Sequence, residues 1–543
     1  MIMYKYILKN SKFTLFIIMA IISAILGTGF SFIMSHLIDL AGEGTSSKLI
    51  MFVFFAISYV VFTVLCEYIY TYTKYYLLMG VRINVKNDLF EAVIGKDIAD
   101  FERKGRAFYL SQMTTKTDML SEQYIKNILS LPYLVCSFTS AIIACIILNW
   151  VMLVIMLVLG LLTVHFTNIF GKRIEDKSEK LLGLTSGYTQ RIKDYLDGFI
   201  IVKSFNAERQ FNKEFENINS SLEKARIDSS KAMMHMSYSG ELVGLLSTVL
   251  VTGIAAFFAL NGLISVGSIL AFSQLMGKIS SPISSAVDIK AGLKASVPIV
   301  RELEETLSSV VKTTNDLDEL DTDISFKDVS FTYEKNDVAV LNSCSFEIKG
   351  NKKILITGDS GAGKTTIMKL LLKYYDYYLG SIKVGNRNLK ELTTKSIFHK
   401  IGYLSQDPFV FEDTIRNNIS MYDESIPIDQ INVSLIRSGL RKLVDSLPNG
   451  LDTMVTELGS NLSGGEKQRI CLARLFLFDK DIIILDEFEN GLDNETKIFI
   501  ESSILELEDK MIICISHDQS EQHKQKYDII YTMRDGKLFL EGV

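Results

Sequence analysis

At 543 residues the chain is too long for one ordinary soluble domain, and its 48% hydrophobic content and mean hydropathy of +0.23 mark it as unusually apolar. A net charge of −6 and a pI near 5.7 exclude a global basic field that would hold nucleic acid. The six cysteines, Cys66, Cys136, Cys145, Cys344, Cys471 and Cys514, sit in apolar surroundings without a C-x-x-C pair. That pattern argues against redox or zinc chemistry and for free thiols in a reducing compartment.

The apolar excess lies in the first 300 residues. Residues 13–35 carry no charge and are long enough to cross a bilayer at about 1.5 Å per residue. The run lacks a clear small-residue cleavage site, so it reads as a retained first span rather than a signal peptide. A second uncharged run covers 49–66 and extends to about Leu78. Residues 127–171 hold no Asp, Glu, Lys or Arg, which is too long for one crossing, and divide at Asn149-Trp150. Residues 242–277 are also uncharged and divide near Asn261-Gly262, with the last span continuing past Lys278 to about Ala286. Six spans are expected.

Basic residues set the orientation. Lys5, Lys9 and Lys12 precede the first span, Lys74, Arg82 and Lys86 follow the second, and Lys172, Arg173, Lys177 and Lys180 follow the fourth. Lys278, Lys290 and Lys294 trail the sixth, whereas the connections expected outside hold only Lys48. The positive-inside rule therefore puts both termini in the cytosol of a multi-pass plasma-membrane protein. Lys-, Ile- and Asn-rich usage points to a bacterium with an AT-rich genome. The long segments 79–126 and 172–240 have helical amphipathic texture and read as spans continuing into the cytosol and turning back. Ionisable residues within the spans are few: His36, Asp39, Glu67, His165 and Glu241. Most lie near span ends within reach of water; Glu67 has the strongest claim to a cavity-lining role. An acidic linker, 309–321, separates this membrane domain, 1–308, from a soluble one, 322–543.

The second domain carries the chemistry. Gly358-Asp359-Ser360-Gly361-Ala362-Gly363-Lys364-Thr365-Thr366 follows the apolar run Ile354-Leu355-Ile356 and leads into another, a strand, glycine-rich turn and helix. That context makes G-x-x-x-x-G-K-[ST] a phosphate site. Gly358, Gly361 and Gly363 let backbone N–H groups curl around phosphate, and the helix adds its positive end. Lys364 is expected to reach the terminal phosphates, and Thr365 to hold Mg²⁺. Ser360 and Thr366 belong to the same cradle. Residues 481–487 form a buried-strand run ending in two carboxylates, Asp486 for Mg²⁺ and Glu487 to activate the attacking water. Leu462-Ser463-Gly464-Gly465-Glu466-Lys467-Gln468-Arg469 opens a second helix behind a glycine turn. One chain cannot easily aim both helix ends at one γ-phosphate, so a head-to-tail dimer is expected, with ATP between one phosphate loop and the other chain's Ser463, Gly464 and Gly465. Gln406, in a loop, is expected to sense Mg²⁺ and water, and His517, just past a strand, to contact the γ-phosphate. Tyr333, about 25 residues before the phosphate loop, has the ring to stack on adenine.

Tyr333, GDSGAGKTT, Gln406, LSGGEKQR, ILDE and His517 stand in the order and spacing of an ATP-binding cassette. The chain resembles an ABC exporter half-transporter, six spans fused to one nucleotide-binding domain. The resemblance implies a membrane all-α six-helix domain of the type I ABC exporter fold joined to a cytosolic α/β P-loop NTPase. It also implies ATP and Mg²⁺ as cofactors, a second half-transporter chain as partner, identical or different, and a surround of membrane lipid. Coupling helices are implied near 105–113 and 202–207, received by 411–419, with Glu457 contacting them and Asp493 kept after ILDE. Three departures stand out: Asn490-Gly491 replace Ser-Ala, Thr456 and Leu458 flank Glu457, and Glu466 takes the usual place of Gln. Export of a peptide, drug or lipid leads among the functions implied. Import through the same fold, and an ATP-gated complex without net transport, remain open alternatives. No peptidase domain precedes the first span, so leader-peptide cleavage is not expected.

Overall fold

A computed structural model describes residues 2–8, 10–42, 46–169, 171–308, 321–333, 338–456, 459–488 and 494–541. The chain divides into two compact units, Met1–Glu91 with Leu110–Ser308, and Ala92–Tyr109 with Ser309–Val543. Most of the expected linker, 309–320, lies outside the described residues.

The first unit is helical. Its long elements are α1 (Phe13–Gly42), α2 (Ser46–Ile94), α3 (Lys126–Leu148), α4 (Trp150–Ile169), α5 (Glu208–Leu260) and α6 (Val266–Ser308), together with the helix Gly171–Asp197 between α4 and α5. Among the described residues, α1, α2, α5 and the stretch Arg106–Leu148, which contains α3, are long and apolar enough to cross a membrane. Helices α4 and α6 occupy the fourth and sixth places expected. Asn149 breaks the long apolar run: its extended backbone ends α3, and its side chain accepts the N–H of Val151 at 3.0 Å to start α4. α2 and α5, at 49 and 53 residues, far exceed a bilayer's roughly 20-residue requirement, as the amphipathic texture of their inner halves requires. At the far end of α1, Asp39 accepts the Gly267 N–H and the Ser265 hydroxyl, both at 2.8 Å, tying α1 to the start of α6. His36 packs edge-on against Phe52, and Glu67 is exposed.

The second unit contains two sheets. One has four antiparallel strands in the order β2 (Leu341–Ile348), β1 (Ile324–Phe331), β4 (Leu379–Val384), β5 (Arg387–Asn388). The other runs β10 (Lys537–Leu540), β9 (Ile529–Arg534), β3 (Lys353–Gly358), β8 (Met511–Ile515), β7 (Ile482–Asp486), β6 (Ile401–Leu404), parallel except for the β9–β10 edge. Every residue of β7 and β8 is buried, as continuous apolar strands covered on both faces must be. Each buried Ile or Leu there contributes roughly 1.5–3 kcal/mol relative to exposure.

The short helix Ile98–Lys104 belongs to this second unit. It lies just before the stretch 105–113 expected to hold the first coupling helix. Gly105, at φ +79°, ends the helix there, and a separate one, Arg106–Ser111, follows. The Asp97 carboxylate accepts the Thr394 hydroxyl at 2.6 Å, and Arg103 lies 3.5 Å from Asp376. The second short helix is Phe199–Ser204, three residues earlier than expected at its start.

Candidate active site

The parallel sheet gathers the chemistry at the carboxyl ends of its strands, where an open α/β sheet places its ligands. β3 ends in Gly358 and passes through the phosphate loop into α7 (Lys364–Leu371). β6 leads to Gln406, β7 to Glu487, and β8 to His517. Because β3, β8, β7 and β6 are consecutive neighbours, residues up to 159 positions apart (358 to 517) arrive on one edge.

The loop demands glycine at two points. Gly358 has φ +142°, and a Cβ there would lie 2.6 Å from the Met533 carbonyl oxygen. Gly363 has φ +110°, with the Met533 side chain 2.9 Å from where a Cβ would stand. Lys364 is buried and curls over its own loop, its Nζ donating to the carbonyls of Gly358 at 2.7 Å and Asp359 at 3.0 Å. Burial pushes its ammonium below the ordinary range, and the charges of Glu487, Asp486 and Asp359 oppose that shift. Thr365 follows, half-buried, and the buried Thr366 shares a 2.9 Å hydrogen bond with the Tyr333 hydroxyl. Tyr333 also meets Phe331 and Tyr375 edge-on, which holds its ring beside the loop. Ser360 and Gly361 are exposed and line a groove of about 670 Å³ with Arg534, Asp535 and Gly536 of the β9–β10 turn.

Three expected catalytic side chains meet. Glu487, itself at φ +48°, receives Gln406 Nε2 on Oε2 at 2.6 Å, and His517 Nε2 lies 2.6 Å from Oε1. Its backbone N–H donates to the Ile515 carbonyl at 3.0 Å, locking the residue to β8. Behind it, Asp486 is 2% exposed. Its Oδ2 accepts the Tyr403 hydroxyl at 3.2 Å, and its Oδ1 has no hydrogen-bond partner. Burial pushes this carboxyl above the ordinary range, Tyr403 pulling it down and Glu487 adding to the rise. A desolvated carboxylate oxygen without a donor, beside a phosphate loop, fits a divalent cation.

Ser463 caps α8 (Gly464–Phe478). Its hydroxyl accepts the Glu466 N–H at 3.3 Å, while its N–H donates to the Glu466 carboxylate at 2.7 Å, a reciprocal capping box. Gly464 and Gly465 form the first turn of that helix. The signature turn is thus built as a helix end within one chain. Glu457, Leu458, Asn490, Gly491 and Asp493 lie outside the described residues.

Tyr403 and Gln468 escaped sequence reasoning. Tyr403 follows from strand order, since β6 pairs with β7. The buried Gln468 donates to the Phe488 carbonyl, joining α8 to the residue after Glu487. Its place in LSGGEKQR was the available signal.

Comparison with known proteins decides the family. Residues 13–283 match the family model described as the ABC transporter transmembrane region, and residues 341–490 match the one described as ABC transporter. The chain belongs to the ABC transporters. It is 25% identical to the ABC transporter ATP-binding protein YfiC of Bacillus subtilis, over 98% of this chain and 89% of the relative. It is 24% identical to the ATP-dependent lipid A-core flippase of Escherichia coli K12, over 92% of this chain and 87% of the relative. A bacterial Atm1-family ABC exporter with ATP bound superposes with a TM-score of 0.82 at 20% identity, covering 98% of this chain and 95% of that one. The fold is therefore that of a type I ABC exporter, and this ABC transporter is a multi-pass membrane half-transporter with one nucleotide-binding domain.

Proposed function

We propose that this chain is an ATP-driven exporter of peptide, drug or lipid-like molecules that works as a dimer, with membrane domain 1–308 and cassette 322–543. The meeting of Gln406, Glu487 and His517 on one carboxylate supports the reading most, because that cluster serves hydrolysis rather than binding alone.

In this mechanism Lys364 and the loop N–H groups hold the phosphates. Thr365 and Asp486 hold Mg²⁺, with Gln406 near it, and Asp486 Oδ1 is the group desolvated for that role. The metal neutralises charge on the terminal phosphate when bound. Glu487 takes the proton of the attacking water, and His517 and Gln406 fix the positions of water and γ-phosphate. Ser463, Gly464 and Gly465 of a second chain close over the nucleotide, with Tyr333 against the base. Closure of the cassettes then moves the spans between inward- and outward-facing states. The cytosolic placement of both termini rests on the basic residues flanking the spans, and the bacterial plasma membrane on the Lys-, Ile- and Asn-rich usage.

Purifying the chain alone in detergent, then measuring its mass and its ATPase activity, tests this reading. An active dimer is expected. Normal turnover from a monomer would overturn the shared site, and an inactive chain rescued by a second half-transporter would make the assembly heteromeric.

A further inference from the structure

A cavity of about 530 Å³ opens between α1, α2 and α6 of the membrane unit. Gly27, Phe30 and Ser31 line it from α1, Val60, Thr63 and Val64 from α2, and Gln274 with Lys278 from α6. Among the described residues Lys278 is the only charged group on its wall. Sequence reading counts this lysine with the basic residues trailing the sixth span, although that span continues past it to about Ala286. The structure packs its ammonium against Gly27, midway along α1, so closely that a Cβ on Gly27 would lie 3.2 Å from Nζ.

Gly27 is roughly 20 Å from either end of α1 at about 1.5 Å per residue. A lysine stem is too short to bring its ammonium to either interface from that depth. Among the described residues Lys278 makes no ion pair, and the exposed Glu67 of α2 is not on the cavity wall. An intramembrane ammonium without an internal counterion, aimed into a ligand-sized space, marks a functional site. Gln274 stands four residues before Lys278 on the same helix face and adds an amide. The Thr63 hydroxyl is spent on the Tyr59 carbonyl at 2.9 Å, so it offers the ligand no donor. Phe30, Val60 and Val64 supply apolar wall. A single cation and an amide beside apolar surface suit a small anionic head carried on a hydrocarbon body.

We propose that this cavity binds the phosphate or carboxylate head of an anionic amphiphile, with Lys278 selecting its charge. The proposal rests on the exporter reading and narrows its substrate class. Full-length protein in phosphatidylcholine nanodiscs is titrated with dodecyl phosphate, dodecylphosphocholine and dodecyltrimethylammonium, which share one tail. The expected result is binding of dodecyl phosphate at least ten-fold tighter than the other two. Lys278→Gln should abolish that preference and Lys278→Arg should keep it. Equal affinity for the three heads in the wild type overturns the proposal without need of any variant, as does an unchanged preference in Lys278→Gln. A lysine engaged by the second protomer instead would give that equal-affinity result. Phosphatidylglycerol added to the discs separates the sources, since competition assigns the site to a bilayer lipid and its absence to the free amphiphile, both within the proposal. ATP-driven movement in vesicles is measured separately. Charge-selective binding without movement fails the exporter reading alone, and movement indifferent to head charge fails this proposal alone.

Discussion

His517 Nε2 sits 2.6 Å from Glu487 Oε1, while the other carboxylate oxygen is held by Gln406. Both oxygens of the proposed base are therefore engaged before water arrives, and one partner has to yield for the carboxylate to accept a proton. Both partners are exposed, Gln406 on the loop beyond β6 and His517 just past β8, so either is placed to yield.

Glu487→Gln should lower ATP turnover by about 10²- to 10⁴-fold, the usual contribution of a general base, while ATP binding persists. Steady-state hydrolysis and equilibrium nucleotide binding check this together. Wild-type turnover would remove Glu487 from the role.

Lys364→Ala should weaken nucleotide binding itself, since the lysine supplies the only ammonium folded over the loop among the described residues. Titration with a fluorescent ATP analogue reads the change. Unaltered affinity would count against the phosphate-loop assignment.

Glu466 places a carboxylate on the hydroxyl of Ser463 at 2.9 Å, where a second chain's ATP is proposed to bind. Glu466→Gln removes that negative charge and keeps an acceptor for the cap. Apparent ATP affinity should rise several-fold, with the effect shrinking at high salt. Unchanged affinity at low salt would show that the charge does not face the nucleotide.

Thr394→Val removes the hydroxyl that Asp97 accepts at 2.6 Å. Thermal stability should fall by about 0.5–1.5 kcal/mol, the net worth of such a bond, rising toward 3 because the acceptor is charged. Basal hydrolysis should survive, and stimulation by transported substrate should drop, because the Ile98–Lys104 segment loses an anchor on the cassette. A variant with full stimulation would separate this contact from coupling.

Glu501 is 3% exposed and accepts from His523 at 3.0 Å and Lys526 at 2.8 Å. Burial alone would raise its carboxyl, yet the hydrogen bonds and charges of His523 and Lys526 hold it below its ordinary 4.5. The folded carboxylate then resists protonation more than the unfolded one. Its contribution is full above pH ~4.5 and is lost as pH falls through the depressed value. Acid titration of thermal stability should show this loss, and Glu501→Gln should flatten it while destabilising the cassette by about 3–5 kcal/mol at neutral pH.

The phosphate loop, the ILDE strand, the signature helix, Gln406 and His517 were all legible in the sequence. Each is a short local pattern whose chemistry needs residues close along the chain. The apolar runs located the spans for the same reason, since a bilayer imposes a length on contiguous residues. The meeting of residues 406, 487 and 517 on one carboxylate depends on strand order, which no local pattern encodes. Tyr403 on Asp486 and Gln468 on Phe488 depend on it too. The helix end at Gly105 and the contacts of Asp97 with Thr394 and Arg103 with Asp376 were not legible, because a helix end is decided by backbone conformation and by what packs against it. Lys278 makes the distinction sharpest. Its charge counts toward orientation by composition, and only the packing of α6 against α1 sets it opposite Gly27, midway along α1.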